Sequence, residues 1–534
     1  AVAAAPPGST VLVAAGLYQE ALSLAKPLSI VGECPERVEI RGPVTAPAVV
    51  FITSGADGSS LRGLSLTAGR AGVWVDGASN VTLEALWIHD TMLSGLMAGD
   101  GAAASVLLKS SLIERPGSTA ALVSGVDLRV EQSVLRGGRQ SIDGAGTGVL
   151  AIRSYELSAP ARVSIVGSVV EDNDDSGVVA LCSEARIEAS VVRDNRALGG
   201  DFTEFSGGAL AGACSEPLPT VLTVVGSVFE RNVQTGIFSL GADLTVEATA
   251  VRDSLYDDEP GNTGFGIVAM RRDYPEQVAS VARTLVERSV SGGIAALGAT
   301  LTLERVLVRD TFPSPLGGFG HGLDVQAWGE AVSVNVRGAR FERSHETGIY
   351  VNSADASLEH VWVNETFASG TYGMGTGIAG RYTEEFSVPS QMRLVDVTVS
   401  QSRGFGVYLL NSQATMDRLH VVDTLPSASN VYGDGVASIF GSGTGAASRP
   451  SATLMESKIE RSARAGIANL GGDVIYGDTM LSCNLIHLNG ESDGFTAEHH
   501  SYSFEDRGGN ACGCDAHEVP CEVVSSQLKV PQEP

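Results

Sequence analysis

The sequence predicts an all-β protein, a right-handed parallel β-helix (solenoid) of about 16 coils with loop insertions on alternate coils. Three observations carry that expectation. An apolar residue, in most cases followed by a charged pair and Asn, Ser or Thr, recurs at Ile113, Val170, Phe229, Val286, Phe341, Val399 and Ile459, a period of about 57 residues. A second copy follows 22 residues later in the first six cases, at Leu135, Val192, Val251, Val308, Val363 and Val421, and the seventh, Ile486, comes after 27. Gaps from second copy back to first run from 33 to 38 residues. A fixed short step alternating with a variable long one describes a solenoid whose every second coil carries insertions.

Within one coil, Ser227-Val228-Phe229 forms a short strand and Glu230-Arg231-Asn232 turns the chain. Gly236-Ile237-Phe238 starts a second strand, Leu244-Thr245-Val246 gives a third, and Val251 opens the next coil. Three short strands with stacked inward apolar residues fit a parallel β-helix. A seven-bladed propeller is disfavoured by the 22-residue half-period and by single coils around Leu66 and Ile88. The segment Gly8–Glu20 (GSTVLVAAGLYQE) and its continuation Lys26–Gly32 (KPLSIVG) resemble the entry motif of the pectin-lyase-like β-helix superfamily. The coil pattern extends the resemblance to about residue 490. It implies the fold but not one activity, because the superfamily holds polysaccharide lyases, hydrolases, epimerases, tailspikes and adhesins.

Composition fits a large, β-rich extracellular protein. The 534 residues are 43% hydrophobic and 18% charged, with 64 glycines. Four lysines stand against 32 arginines, a bias associated with a GC-rich bacterial genome. The net charge of −26 excludes a phosphate-binding footprint, hence nucleic acid, and disfavours an anionic membrane surface. No stretch approaches the ~20 apolar residues of a transmembrane helix. The chain opens at Ala1 without a basic-then-apolar leader and reads as a mature or trimmed fragment. These features predict a secreted or outer-cell-surface bacterial protein.

Turns after the marker strands alternate their charge order. First copies read Glu230-Arg231, Glu287-Arg288, Glu342-Arg343 and Glu460-Arg461; second copies read Arg193-Asp194, Arg252-Asp253 and Arg309-Asp310. Stacked coil on coil, they predict a salt-bridge ladder that opposes misregister. The residues after them, from Asn173, Asn195 and Asn232 through Ser254, Ser289, Thr311, Ser344, Thr366 and Thr424, predict a polar turn ladder.

Insertions on alternate coils carry the candidate binding residues Tyr155, Tyr256, Arg272, Tyr274, Trp328, Tyr372, Arg381 and Tyr382. Rings beside Arg and carboxylates suit carbohydrate; the competing expectation is that these rings fold back over the coils. Catalytic signals are sparse: Gly320-His321-Gly322 and the acidic Asp257-Asp258 match single elements of pectin-depolymerising hydrolases, without accompanying motifs. No nucleophile elbow, phosphate loop or dinucleotide fingerprint is present. The one cofactor the sequence leaves room for is Ca²⁺, at Asp257, Asp258 and Glu259.

Cys182-Ser183-Glu184 and Cys214-Ser215-Glu216 occupy matching places in consecutive coils, and coils about 4.8 Å apart place them within disulfide reach. Cys483, Cys512, Cys514 and Cys521 are expected to pair among themselves, leaving Cys34 odd; a zinc site with His517 is the less favoured reading. The expected layout is a β-helix over 1–490 and a Cys-rich C-terminal cap and tail over 491–534. Function is expected to be partner binding without turnover, with glycan the first partner and a protein the second. A polysaccharide lyase or glycoside hydrolase is the alternative, and a structural spacer or assembly component the third.

Overall fold

The computed structural model describes residues 1–99, 104–141, 144–156, 158–196, 207–214, 220–256, 264–271, 277–315, 317–328, 332–369, 373–383, 386, 388–441, 449–492, 500–515 and 517–525. The chain divides into two compact units: Ala1–Thr263 with Asp273–Gln277, and Gly264–Arg272 with Val278–Pro534.

Each unit is built of three sheets of stacked parallel strands. In the first unit, the first sheet runs from Ser9–Val13 to Asp243–Glu247, the second from Gly16–Tyr18 to Ala250–Arg252, and the third from Leu22–Leu24 to Thr235–Leu240. In the second unit the corresponding sheets begin at Val278–Ala282, Leu285–Glu287 and Gly264–Met270, and end at Ser503–Asp506, Ala511–Cys514 and Val523–Val524. This is the parallel β-helix that the repeat implies. The marker residues Ile113, Leu135, Val170, Val192, Phe229 and Val251 are all fully buried and form the inward row of the second sheet. Each such side chain contributes ~1.5–3 kcal/mol relative to exposure.

Strands of the segments 9–24, 28–53 and 503–524 also join the three ladders. The ladder therefore continues past residue 490. Ser503–Asp506 and Val523–Val524 pair in parallel with the preceding coil, and His517–Val519 folds back antiparallel on Ala511–Cys514. Bridges Cys182–Cys214, Cys483–Cys514 and Cys512–Cys521 are formed, and Cys34 is free and half-buried. With those thiols consumed, no zinc site remains among them.

The charge ladder has the alternating register its sequence order suggests. Arg193 reaches Glu171 at 2.8 Å, Arg252 reaches Glu230 at 2.6 Å, and Arg309 reaches Glu287 at 2.6 Å. A neighbouring row pairs Arg231 with Asp194 at 2.7 Å and Arg343 with Asp310 at 2.6 Å. Burial alone would raise the Glu230 carboxyl, but Arg252 and Arg231 hold it below its ordinary value. The arginine ends are exposed, so each pair contributes only ~0.2–1 kcal/mol.

A serine ladder at the corner between first and second sheets was not anticipated. Backbone N–H groups of Ser133, Ser168 and Ser190 donate to the hydroxyls of Ser168, Ser190 and Ser227 on the next coil, at 3.1–3.2 Å. Each of these hydroxyls donates in turn to a carbonyl two residues back in its own coil. Thr249 continues the row by accepting the Ser227 N–H, and the residue preceding each hydroxyl residue is left-handed: Gly167 and Gly226 have φ of 56° and 58°, whereas Ala189 and Ala248 are held at 48° and 49°. Ala248 is exposed, so Ala248→Gly relieves strain without opening a cavity. We expect it to stabilise the fold by ~0.5–1 kcal/mol after the entropic cost of glycine. Unchanged or lower stability in chemical denaturation would refute the strain argument.

Candidate functional site

The decorated alternate coils place much of their apolar material on the outward side of the third sheet. In the second unit, Phe405, Tyr408, Leu410, Ile439 and Leu470 are buried there together, with Met374 and Tyr432 packed against them. Rings of Phe405 and Tyr408 stack at 4.8 Å, and Tyr432 lies 4.9 Å from Phe405. Tyr382, a binding candidate from sequence, is buried at 6% exposure. Tyr155 is 89% exposed and isolated in the first unit, Tyr256 is half-buried, and Trp328 is 46% exposed. Asp257, Asp258, Glu259, Arg272, Tyr274 and Tyr372 lie outside the described residues.

Three coils break this apolar face with polar groups. Outward positions that are Ala295 and Leu297 on one strand become Asp324 and Gln326 on the next, Tyr350 and Asn352 on the third, and Ala379 and Arg381 on the fourth. His321 Nδ1 lies 3.2 Å from Asp324 Oδ2, and Gln326 Nε2 donates to Asp324 Oδ1 at 2.9 Å. The His321 ring stacks on Tyr350 at 4.9 Å and meets the half-exposed Phe319 edge-on at 5.8 Å. The structure thus joins the sequence candidates His321 and Arg381 in one cluster, with Trp328 two residues beyond Gln326. Asp324, Tyr350 and Asn352 were not singled out, because only strand register aligns them.

Burial would lower the His321 imidazole, but the Asp324 carboxylate and then Glu346 turn its net shift upward, so the ring keeps its proton more readily. Burial pushes the Tyr350 phenol upward as well. A general base needs an available lone pair within reach of substrate. His321 is 5% exposed and Asp324 1%.

Open surfaces lie elsewhere, on the outward side of the first sheet. In the first unit a trough of about 750 Å³ crosses successive coils and is lined by Thr82, Asp127, Arg129, Arg162, Ser164, Glu184 and Arg186. Strand alternation puts these side chains outward while Leu128, Val130, Val163 and Ile165 point into the core. Arg162 stands between Asp127 at 3.7 Å and Glu184 at 3.6 Å, looser than a direct hydrogen bond, and 59% of its side chain is exposed. The second unit carries a smaller trough of about 320 Å³ on its own first sheet, lined by Asn335, Ser357, Gln391, Arg393, Gln413 and Thr415. Sequence reading directed attention to the loops and missed both troughs; alternating polar residues in the third strand of each coil were the available signal.

Among the described residues, one group of potential metal ligands clusters closely, Cys483, Cys514 and Asp515, and both of its thiols are spent in a disulfide. No helix of the described residues is long and apolar enough to cross a membrane.

No family model and no curated protein sequence matches the chain. Solved structures similar to it include pectate lyase Pel9A, 16% identical over 63% of this chain and 68% of that one, with a TM-score of 0.28. The periplasmic alginate epimerase AlgG is 11% identical over 78% and 84%, with a TM-score of 0.32. The PL6 family alginate lyase AlyGC is 9% identical over 96% and 97%, with a TM-score of 0.29. Likenesses this distant carry no inference about chemistry.

Proposed function

We propose that this chain is a secreted or outer-cell-surface bacterial β-helix that binds glycan on its first-sheet troughs without cleaving it. One observation carries the reading: each unit exposes a shallow, open trough paved by hydroxyl, amide, guanidinium and carboxylate groups on successive coils. Hydroxyl-rich polymers are recognised by such mixed donors and acceptors, and an open floor admits an extended chain where a closed pocket cannot. The loosely paired Arg162 can turn its donors to a ligand at little cost. Disulfides agree with an oxidising compartment.

The catalytic alternative draws on the His321–Asp324–Tyr350 cluster, whose buried charge is costly and unneeded for stability, since neighbouring coils use Ala and Leu at the same positions. Incubation with acidic and neutral polysaccharides, scored for retention and for released ends in the same wells, separates the readings. We expect retention without new ends, and a loss of about tenfold in affinity, ~1.4 kcal/mol, in Arg162→Ala with Arg186→Ala. Released ends that disappear in His321→Gln would establish the enzyme instead. Absence of both signals would leave a protein partner or a spacer role as the better account.

A further inference from the structure

We propose that Ser65, His89 and Asp90 form an acyl-accepting nucleophilic centre on the second sheet of the first unit, suited to small uncharged acyl esters. The Ser65 hydroxyl lies 3.0 Å from His89 Nε2, and His89 Nδ1 lies 2.7 Å from Asp90 Oδ2. Nucleophile, base and orienting carboxylate are therefore in the order and at the separations that acyl transfer requires, whatever the fold that supplies them.

Local structure aims these groups. Ser65 lies on strand Ser65–Ala68 and His89 on the adjacent Trp87–Thr91, whose register shifts between His89 and Thr91. Asp90 is the extra residue in that bulge, with φ of 49°, and bulges re-aim side chains in this way. Its carboxylate is gripped by Arg115 through Nε at 2.8 Å and Nη2 at 3.0 Å. Arg115 holds the Asp90 carboxyl down at about 2, so it stays an anion and fixes the proton on Nδ1. Nε2 then presents its lone pair to Ser65. Trp87 stacks on the imidazole at 4.1 Å and is itself pinned by donating Nε1–H to Glu114 at 3.0 Å. Beside Trp87 a surface hollow of about 590 Å³ is lined by Pro35, Glu36, Leu86, Ser110, Leu112 and Gln132.

Ser65 is only 1% exposed, which restricts it to small acyl groups. In the reaction, Ser65 Oγ bonds to the acyl carbon while its proton passes to His89 Nε2. The carbon–oxygen bond to the alcohol breaks, and the alkoxide leaves with that proton. Water then releases the acid by the reverse sequence. Backbone N–H groups here serve the parallel ladder, as Trp87 N–H does toward Leu64 O at 2.9 Å, so both acylation and deacylation are expected to be slow and covalent labelling to be the sensitive readout.

The test does not depend on glycan. The full chain is treated with a fluorophosphonate probe and with p-nitrophenyl acetate, and the modified peptide is mapped by mass. Label on Ser65 and a burst of nitrophenol are expected. Ser65→Ala abolishes both, and Asp90→Asn slows the burst by on the order of 10³–10⁴-fold with unchanged secondary structure. Ser65→Thr, which keeps a hydroxyl, checks that a silent Ser65→Ala has not merely misfolded: it retains slower labelling. Absence of label on Ser65, or a burst that survives in Ser65→Ala, overturns the assignment.

Discussion

Replacing Asn195 with alanine is expected to destabilise the first unit by about 4 kcal/mol and to lower its thermal midpoint by roughly 8–16 °C. Asn173, Asn195 and Asn232 stack at the corner between second and third sheets, each 0–1% exposed. Asn195 Oδ1 accepts the backbone N–H of Asn173 at 3.3 Å and its amide Nδ2–H at 2.8 Å. Asn195 Nδ2 donates onward to Asn232 Oδ1 at 2.9 Å, and Asn232 donates to Val192 O at 3.0 Å. Truncation leaves two buried donors of Asn173 unpaired, at ~1–3 kcal/mol each, and alanine supplies no substitute. Serine is expected to do little better. In the second unit the equivalent row is Ser289, Thr311, Ser344, Thr366, Ser402, Thr424 and Ser462; the Thr311 hydroxyl donates to Gly320 O, and among the described residues the other hydroxyls have no partner. They are too short to span the coil spacing. A loss below about 1 kcal/mol in Asn195→Ala would show that the amide stack is incidental.

That contrast bears on what the sequence disclosed. Marker residues such as Phe229 and Val251 were legible as core because strand alternation and coil period act on them directly. The asparagine row was legible as a ladder for the same reason. Its hydrogen bonding was not, since Asn and Ser are interchangeable in a pattern but differ by the reach needed to cross one coil. Site residues fared worse. Trp328 and Arg381 are candidates because insertions draw attention to them, whereas the burial of Tyr382 depends on which face its strand end meets. Asp324, Tyr350 and Asn352 come from three coils separated by insertions of unequal length, so their alignment exists only in the register. Ser65 and His89 are 24 residues apart, and the Asp90 bulge that joins them carries no composition signal.

Arg464→Ala is expected to cost ~3–5 kcal/mol, because it strands a carboxylate that has no access to water. Asp434 is fully buried and Arg464 is 12% exposed. Arg464 Nε donates to Asp434 Oδ1 at 2.6 Å, a second short bond joins Nη2 to Oδ2, and Ala465 N–H adds a third donor at 3.1 Å. The guanidinium also lies 5.7 Å from the Tyr432 ring centroid, over the aromatic cluster of the third sheet. Burial already pushes the Asp434 carboxyl above its ordinary value, with Arg464 pulling it back. Without Arg464 that value rises further, and the sign of the pH dependence follows. A carboxyl whose folded value exceeds its unfolded one favours folding when protonated, so the loss is largest at neutral pH. It should shrink as pH falls through the raised value toward the ordinary carboxylate range. Asp434→Asn added to Arg464→Ala should recover part of the loss at pH 7, because the penalty resides in the uncompensated charge and not in the missing contact. Denaturation of the single and double variants at pH 7 and pH 4.5 decides it. A loss independent of pH, or additive in the double variant, would place the cost in lost packing against Tyr432 instead of in the charge.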